Sequence, residues 1–327
     1  MKRLYTICSF NVMAAQQKHS MFQIIDGERF IFFRDPARVR EAFRFQAHDE
    51  DIIQIVYPKC GMQLMQQMIQ LIVNQGQSAQ DFREFSQRAP FLEDVGDKAQ
   101  KVTSSPRVFR SHIRLGRIAV SPHAKYVYVA RNPWDACYSQ FVMNQKMPLR
   151  PMRETFDEFL DMFLDGSLTN GCYFEHVYTG YSRRNDTNVF FTTYEDLKLD
   201  TATSLLRLAD FIDPVYSKRI RQDNGLLNGL VRLCDTDHLR KLLEVDKRAM
   251  VAMMFNSPNL SESEKEGADL EQGTLSLICR PEVGCWSEVF TKQQLKKMAS
   301  KIEASVGKEF VKELWCDQWK AALDTCA

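Results

Sequence analysis

The chain has 327 residues, 44% of them hydrophobic, which is enough to bury a large core and is typical of a globular protein. Its 43 basic and 42 acidic side chains leave a formal net charge of +1, so no overall field favours nucleic acid or a membrane surface as a partner. No apolar run approaches the length of a membrane span. Any site for an anionic ligand must therefore be local.

Residues 1–20 have a basic start and a short apolar stretch that faintly resembles a signal peptide. Thr6, Ser9 and Asn11 interrupt it, so we expect a poorly ordered extension, with Met21 as an alternative start, ahead of one domain over residues 21–327. The nine cysteines form no CxxC pair and have no histidine spacing suited to zinc. This pattern predicts free thiols in a reducing compartment, a cytoplasmic location and no metal.

The first clear element after residue 20 is a hairpin followed by a short helix, predicted from turn signals in residues 21–50. An apolar strand over residues 52–57 comes next and breaks at the loop Pro58-Lys59-Cys60-Gly61. A helical pattern then runs from Met62 to Val73.

This strand, loop and helix have the geometry of an anion cradle. The free N–H groups and positive dipole end of a helix start stabilise a phosphate or sulfate. Lys59 would add a mobile charge, and Gly61 would let the backbone approach the anion. An ordinary turn with a solvated lysine fits the same residues, and the spacing is not that of a Walker A loop.

Two candidate catalytic side chains follow a short strand near residue 110. Arg110 and His112 lie two residues apart and therefore on one face if the strand persists. His112 is a candidate general base, because the unperturbed pKa of histidine lies near neutrality, although a structural histidine is the alternative. Upstream, Phe91 either lines a pocket or anchors the core.

A second predicted strand ends in a cationic side chain at residue 131, shortly before a predicted helix. The strand over residues 126–130 ends in Arg131, and a helix is predicted from Ala136 to Met143. Arg131 and Ser139 are the groups we expect at a second phosphate, and an ion pair of Arg131 with Asp135 is the alternative.

Helices are also predicted over residues 155–165 and 171–184, and a strand over residues 189–194 ends at Tyr194. Four strands separated by helices predict an α/β domain with a parallel sheet. Ligands bind such sheets at the carboxyl ends of the strands, where Lys59, His112, Arg131 and Tyr194 all fall.

The C-terminal third is predicted to be mainly helical. Helices are expected over residues 203–212, 218–233 and 238–254, with an acidic surface loop over residues 257–273. A Lys-rich helix from about residue 292 is expected to cover the fold with a solvated face.

Taken in this order, the landmarks resemble the cytosolic sulfotransferases, which transfer a sulfuryl group from 3′-phosphoadenosine 5′-phosphosulfate (PAPS) to a hydroxyl or amine. The resemblance covers roughly residues 30–310. Its most specific part is YVYVARNPWDACYS, from Tyr126 to Ser139, which is similar to the family's ARNPxDxxxS element. The loop YPKCG is similar to the family's YPKSGTTW, Arg110-Ser111-His112 to its Lys-Thr-His run, and Tyr194-Glu195-Asp196 to its YED element.

The resemblance implies one domain with a central parallel sheet flanked by helices, the P-loop-kinase-like sulfotransferase fold. It implies that His112 takes the acceptor proton and that Lys59 stabilises charge on the leaving oxygen, while Arg110 replaces a lysine near the transferring group. It also implies a small-molecule acceptor of phenol, catecholamine or steroid type and no metal. The implied PAPS-binding residues are Lys59, Cys60, Gly61, Met62, Gln63, Leu64, Arg131, Ser139, Tyr194, Met250 and Arg280.

Several of these positions depart from the family pattern. Met62 and Gln63 replace two threonines that bond the 5′-phosphate, and Leu64 and Met250 replace aromatic residues that face adenine. Each lost hydroxyl or ring is expected to weaken donor binding by about 1 to 3 kcal/mol. The family's RKGxxGDW element is reduced to RPEVGCW, from Arg280 to Trp286.

The departures leave other functions open. A nucleotide-binding or ligand-sequestering protein without efficient catalysis fits the altered loop, and a P-loop kinase fits least because the Walker A spacing is missing. The family's dimer motif is degraded near Phe290, which predicts a monomer or a weak homodimer.

Overall fold

The predicted strands and helices between residues 52 and 199 are all present, with ends that differ by a few residues. The computed structural model describes residues 21–102, 105–148, 153–255, 260 and 272–326, so the predicted extension at residues 1–20 lies outside the described part of the chain. The elements up to residue 199 are β1 (Phe22–Ile25), β2 (Glu28–Ile31), α1 (Pro36–Phe43), β3 (Ile52–Val56), α2 (Met62–Val73), α3 (Phe82–Arg88), α4 (Leu92–Val95), β4 (Val108–Ser111), β5 (Lys125–Ala130), α5 (Pro133–Gln145), α6 (Phe156–Asp165), α7 (Tyr173–Tyr181), β6 (Val189–Thr193) and α8 (Tyr194–Leu199). The elements after it are α9 (Thr201–Ile212), α10 (Pro214–Gln222), α11 (Asn224–Leu233), α12 (Thr236–Leu242), β7 (Glu244–Asp246), α13 (Lys247–Phe255), β8 (Thr274–Ser276), α14 (Lys292–Ser305) and α15 (Lys308–Cys326), with 3₁₀ segments at Gly96–Lys101 and Cys285–Glu288.

The central sheet has four parallel strands in the order β4-β3-β5-β6. Every residue of β3 and β4 is buried, as expected for strands covered by helices on both faces. The predicted α/β domain with a central parallel sheet flanked by helices is therefore confirmed. Since parallel strands end at the same edge, the residues after Val56, Ser111, Ala130 and Thr193 meet along one side of the sheet.

The hairpin of β1 and β2 and the short α1 are present as predicted. Asp26 and Gly27 form the turn with φ values of +49° and +83°, and the Asp35 side chain caps α1 by accepting the N–H of Ala37.

Helix α2 is buried on almost all sides because β3 and neighbouring helices surround it. Its polar residues Gln66 and Gln70 are also buried, and both donate to the carbonyl of Phe85 at 2.8 Å. Gln67 donates to the carbonyl of Leu233 at 3.1 Å. These amides bond carbonyls of neighbouring segments, which explains why glutamines occupy a buried helix.

Helix α5 begins at Pro133, three residues before the predicted start. The Asn132 side chain accepts the N–H of Asp135 at 2.9 Å, and proline is compatible with the first helical position. The capping residue therefore decides where the helix begins.

Two long predicted helices are wrong. The segment predicted as one helix over residues 218–233 is divided into α10 and α11 by Asp223, which is extended and caps α11 by accepting the N–H of Leu226 at 2.9 Å. The segment over residues 238–254 is interrupted by β7, which pairs antiparallel with β8. Most of the predicted loop at 257–273 lies outside the described residues.

The Lys-rich helix predicted from about residue 292 is present as α14, but the chain continues into a second helix, α15, which differs from the predicted solvated covering face. Trp315 and Trp319 are buried, and the ring of Trp319 lies 6.2 Å from that of Trp134 on α5. The indole of Trp315 also donates to the carboxylate of Glu195 at 2.8 Å. The tryptophans therefore anchor this helix to the segments that follow β5 and β6.

Candidate functional site: a cleft at the carboxyl edge of the sheet

A cleft opens at the carboxyl edge of the central sheet, between the ends of β3, β5 and β6 and the segment after β8. Seven predicted donor-binding residues line it together: Lys59, Gly61, Gln63, Leu64, Arg131, Ser139 and Tyr194. They come from three separate segments, which follow β3, β5 and β6 and which the parallel sheet aligns. Lys198 on α8 also lines the cleft and has no family motif in the sequence that marks it.

The loop after β3 has the backbone shape that the anion-cradle hypothesis requires. Lys59 has a φ of +66° and Gly61 a φ of +98°, so the loop turns sharply into α2. An added β-carbon at Gly61 would lie 2.6 Å from Cδ2 of Tyr194, which shows how closely the ring packs on this backbone. Burial lowers the pKa of Lys59, and its Nζ donates to the carbonyl of Leu277 at 2.9 Å.

Arg131 and Ser139 are buried on the other side of the cleft. Burial pulls the pKa of Arg131 down, but Asp135, Tyr194 and Glu195 together hold it above its ordinary value, so the guanidinium stays charged. Its Cζ lies 4.6 Å from the centre of the Tyr194 ring and its Nη2 lies 3.7 Å from the Asp135 carboxylate. Arg131 therefore forms the predicted ion pair with Asp135 and also lines the cleft.

The residues 277–282, which we call the strap, follow β8 without regular secondary structure and line this cleft. Four cleft side chains donate hydrogen bonds to its main-chain carbonyls. The contacts are Lys59 to Leu277 at 2.9 Å, Ser139 to Cys279 at 2.7 Å, Arg131 to Arg280 at 2.9 Å and to Glu282 at 2.8 Å, and the Tyr194 hydroxyl to Pro281 at 2.6 Å. Sequence reasoning did not find this arrangement, because its acceptors are backbone atoms.

His112 lies just past β4 and is held in a defined tautomer. Its Nδ1 lies 2.6 Å from the carbonyl of Val56, which only accepts, so Nδ1 carries the hydrogen and Nε2 carries the lone pair. Burial lowers the pKa of His112 to about 3, so the ring is neutral at physiological pH. The residue is only partly buried and Nε2 has a lone pair that can accept a proton, although the lowered pKa makes it a weak base.

The backbone of His112 is held from both sides by residues that sequence reasoning missed. Its N–H donates to the buried Glu93 carboxylate at 2.7 Å. Its carbonyl accepts from Nε2 of His176 at 2.9 Å and from the Asn170 amide at 3.2 Å. The available signal for His176 was a lone histidine among apolar residues in the predicted helix over residues 171–184.

His176 is fixed in turn by Tyr128 on β5. Since Nε2 of His176 donates to a carbonyl, its Nδ1 is the acceptor, and the Tyr128 hydroxyl lies 2.6 Å from it. Burial lowers the pKa of His176 to about 4, so this ring is also neutral. A buried chain of hydrogen bonds therefore runs from β5 to the backbone of His112.

Arg110 lies beside this network. Its Nη1 donates to Gln66 at 2.7 Å, and its Cζ lies 4.1 Å from the centre of the Phe91 ring, which contacts His112 at 5.1 Å. Burial, together with the nearby positive charge of Arg34, lowers the pKa of Arg110 to about 9. The predicted contact of Arg110 with the transferring group stays a prediction.

Four other predicted donor-binding residues lie in less direct positions. Cys60 and Met62 are buried in the main core, and burial raises the pKa of the Cys60 thiol. Met250 packs against the second apolar cluster, which includes Phe32 and Met254, and its predicted adenine contact stays a prediction. The Arg280 guanidinium donates to the Tyr138 hydroxyl at 2.8 Å, while its carbonyl belongs to the strap contacts.

The motif residues around Asn132 form the frame of the cleft. The Glu195 carboxylate accepts from the N–H of Asn132 at 3.0 Å and from its amide at 2.7 Å, and it also holds Trp315. Asp135 accepts from the N–H groups of Gly284 and Trp286 at 2.8 and 3.0 Å. The family-like motif therefore anchors the far end of the strap as well as the helix start.

Within the described part of the chain, no group of three or more histidine, cysteine, aspartate or glutamate side chains is arranged to hold a metal ion. Over the same residues, every helix is too short or too polar to cross a lipid bilayer.

The sequence matches a profile of the sulfotransferase domain over residues 49–310. It is 27% identical to the amine sulfotransferase of Oryctolagus cuniculus over 77% of this chain and 79% of that protein. It is also 27% identical to sulfotransferase 4A1 of Homo sapiens over 83% of this chain and 85% of that protein.

Solved structures show the same fold. Mouse sulfotransferase SULT7A1 complexed with PAP has a TM-score of 0.67 at 20% identity and covers 93% of this chain and 99% of its own. Retinol dehydratase in complex with retinol and PAP has a TM-score of 0.61 at 19% identity, with coverages of 85% and 88%. Because the domain profile spans all the segments that build the cleft, this chain belongs to the sulfotransferase family.

Proposed function

We propose that the protein transfers a sulfuryl group from PAPS to a hydroxyl or amine of a small, mainly apolar acceptor, with His112 as the base. The observation that carries this proposal is the hydrogen bond from Nδ1 of His112 to the Val56 carbonyl, which leaves Nε2 as the acceptor at the end of β4. The solved relatives named above were complexed with PAP, and curated relatives are named amine and 3-alpha-hydroxysteroid sulfotransferases.

The cleft residues fit an anionic nucleotide. Lys59 and Arg131 supply hydrogen-bond donors just before α2 and α5, where helix dipoles also favour negative charge, and Ser139 within α5 adds a hydroxyl. Arg131 and Ser139 fit the 3′-phosphate, and Lys59 fits the 5′-phosphate side. Tyr194 presents an aromatic ring beside Gly61. Leu64 offers an apolar but non-aromatic surface where a stacking ring is expected.

In this mechanism, His112 Nε2 accepts the proton from the acceptor hydroxyl or amine as the new bond to sulfur forms. The donor supplies the sulfuryl group, and the electron pair of the broken sulfur–oxygen bond stays on the oxygen of the 5′-phosphate. Lys59 stabilises the negative charge that develops there. Positioning and charge stabilisation do most of the work in such a transfer, and the chain forms no covalent intermediate.

The acceptor class is proposed to be a phenol, a catecholamine or a steroid. Phe91 lies against His112 with 5.1 Å between ring centres, so an aromatic wall is available next to the base. We further propose a cytoplasmic protein that acts as a monomer or weak homodimer. Among the described cysteines, Cys60, Cys137, Cys172, Cys234, Cys279 and Cys285 are buried free thiols, which suits a reducing compartment.

The test is transfer of labelled sulfate from PAPS to a panel of phenol, amine and steroid acceptors by purified protein. His112→Ala and Lys59→Met are expected to lower the turnover number at least a hundredfold while the fold, checked by circular dichroism, is unchanged. Wild-type turnover in His112→Ala would disprove the role of His112 as the base.

A second candidate is a nucleotide- or ligand-binding protein with weak or no catalysis on the same fold. Two observations favour it: cleft donors bond the strap carbonyls, and Met62 and Leu64 occupy the first turn of α2. Sulfate transfer that depends on both PAPS and this protein would exclude it.

A further inference from the structure

Three hydrogen-bond donors of the cleft already direct their hydrogens at the strap: the Ser139 hydroxyl, the Tyr194 hydroxyl and Nη2 of Arg131. Ser139 and Tyr194 each have a single hydroxyl hydrogen, and these are directed at the carbonyls of Cys279 and Pro281. Nη2 of Arg131 has two hydrogens and faces two strap carbonyls, at 2.8 and 2.9 Å. A phosphate that uses these donors must therefore replace the strap carbonyls one for one.

We propose that the strap is an intramolecular competitor of the nucleotide, so that donor binding requires the strap to leave Arg131, Ser139 and Tyr194. This inference rests on the proposed function, because it concerns the regulation of the same donor site. It predicts that the apparent dissociation constant for nucleotide is the intrinsic constant divided by the fraction of molecules with the strap released.

The sequence of the strap explains why it presents acceptors. Pro281 has no N–H to donate, and Glu282 carries a carboxylate that would repel a phosphate. The Glu282 side chain points instead to Arg240 on α12, with 3.6 Å between the charged atoms. The strap is therefore built to complement cationic and hydroxyl donors with its own backbone.

The strap is also held in a releasable manner. Its ends are anchored by the pairing of β8 with β7 and by the bonds of Gly284 and Trp286 to Asp135. Between these anchors, Arg280 has a φ of +47°, a conformation that costs a residue with a β-carbon on the order of 1 kcal/mol or more. The middle of the strap can therefore move while both ends stay attached.

A phosphate can win this competition because of its charge. Hydrogen bonds from Arg or Lys to an anionic oxygen are roughly twice as strong as those to a neutral carbonyl. The outer face of the strap is solvated, since the Glu282 and Arg240 side chains are 56% and 45% exposed. Release of the inner face costs the carbonyl contacts and also the packing of Leu277, Ile278 and the buried Cys279.

The test measures binding of adenosine 3′,5′-bisphosphate by calorimetry to the full chain and to strap variants. Pro281→Gly loosens the released strap without adding charge and is expected to tighten binding about three- to tenfold. Arg240→Gln frees Glu282 and is expected to tighten binding about twofold to fivefold. Tighter binding by Arg240→Gln would be diagnostic, because loss of a positive charge would by itself weaken the binding of an anionic nucleotide.

Lys241→Gln is the matched control for Arg240→Gln, since it removes one positive charge from the same helix, and it should weaken binding or leave it unchanged. Hydrogen exchange gives an independent readout. Nucleotide is expected to speed exchange in the peptide over residues 277–284, whereas a loop that closes over its ligand would exchange more slowly.

The two proposals fail in different ways. If wild type binds nucleotide, neither variant binds more tightly and exchange over residues 277–284 slows, then the strap proposal is wrong and the donor site stands. If wild type and both variants are folded but bind no nucleotide at millimolar concentration, then the proposed donor site itself is wrong, and the strap proposal falls with it.

Discussion

Nε2 of His176 donates a hydrogen bond of 2.9 Å to the main-chain carbonyl of His112, across 64 residues of sequence. His176 therefore holds the backbone of the candidate base without reaching the reacting atoms. Its buried partner Tyr128 places a hydroxyl 2.6 Å from Nδ1 and 2.8 Å from the carbonyl of His176.

His176→Phe is expected to lower the turnover number about 10- to 100-fold, because small displacements of a catalytic group are costly. The Michaelis constant for PAPS should change little, since His176 does not line the donor cleft. Partial recovery of turnover by His176→Asn or His176→Gln, which keep a donor, would distinguish positioning from packing. A loss of turnover that follows only the folded fraction would contradict a positioning role.

The pH profile of turnover should lack the acid limb of an ordinary histidine. With the pKa of His112 lowered to about 3, its Nε2 stays unprotonated as the pH falls from 7.5 to 5.5. For a histidine with an unperturbed pKa of about 6.5, the unprotonated fraction would fall about tenfold over the same range. Steady-state turnover with saturating substrates measures this profile. A tenfold fall in turnover centred near pH 6.5 would refute the shifted pKa if the same fall is absent in His112→Ala.

Stability should fall in mild acid for a related reason. The pKa of His176 is lowered to about 4, so the unfolded chain binds this proton first as the pH falls below about 6.5. Neutral His176 therefore makes its full contribution to the free energy of unfolding above pH 6.5. This contribution is lost between pH 6.5 and 4, at up to about 1.4 kcal/mol per pH unit. Urea denaturation at several pH values measures this slope, which should be smaller in His176→Phe.

Gly61→Ala should destabilise the protein and disturb the donor cleft. The residue has a φ of +98°, and its β-carbon would lie 2.6 Å from Cδ2 of Tyr194. Gly27→Ala is the matched control, since Gly27 has a φ of +83° but nothing within 4 Å of an added β-carbon. Both variants should lose stability because alanine is strained at a positive φ. Gly61→Ala should lose a further amount of about 1 to 3 kcal/mol in the free energy of unfolding, because its β-carbon meets the Tyr194 ring. Equal losses of stability in the two variants would show that the Tyr194 ring moves aside without a measurable cost.

Asp51→Ala should be among the most destabilising single changes. The Asp51 carboxylate bonds Nε and Nη2 of Arg107 at 2.7 and 2.5 Å, and both residues are buried. Its removal leaves a buried guanidinium unpaired, at a cost of about 3 to 5 kcal/mol. Asp210→Ala is the control, because it breaks a similar pair with Arg221 that is exposed, and its effect should be much smaller. Similar losses in the two variants would contradict this reading.

Local sequence patterns predicted much of the cleft. The strand, loop and helix around Lys59 and the strand and helix around Arg131 could be read because apolar runs, turn residues and helix caps act over a few neighbours. The parallel sheet then brought the ends of these strands together, as its topology requires. The divided helices at Asp223 and β7 were missed because a single cap and a short pairing overrode a continuous helical pattern.

The sequence by itself determined the α/β fold, the edge where the site lies and the identity of its charged groups, because these depend on patterns within short segments. Only the tertiary structure decided what those groups contact. Ser139 bonds a carbonyl 140 residues away, and His112 is held by His176. Every residue has a carbonyl, so no pattern of side chains marks the ones that a strap will place in a cleft.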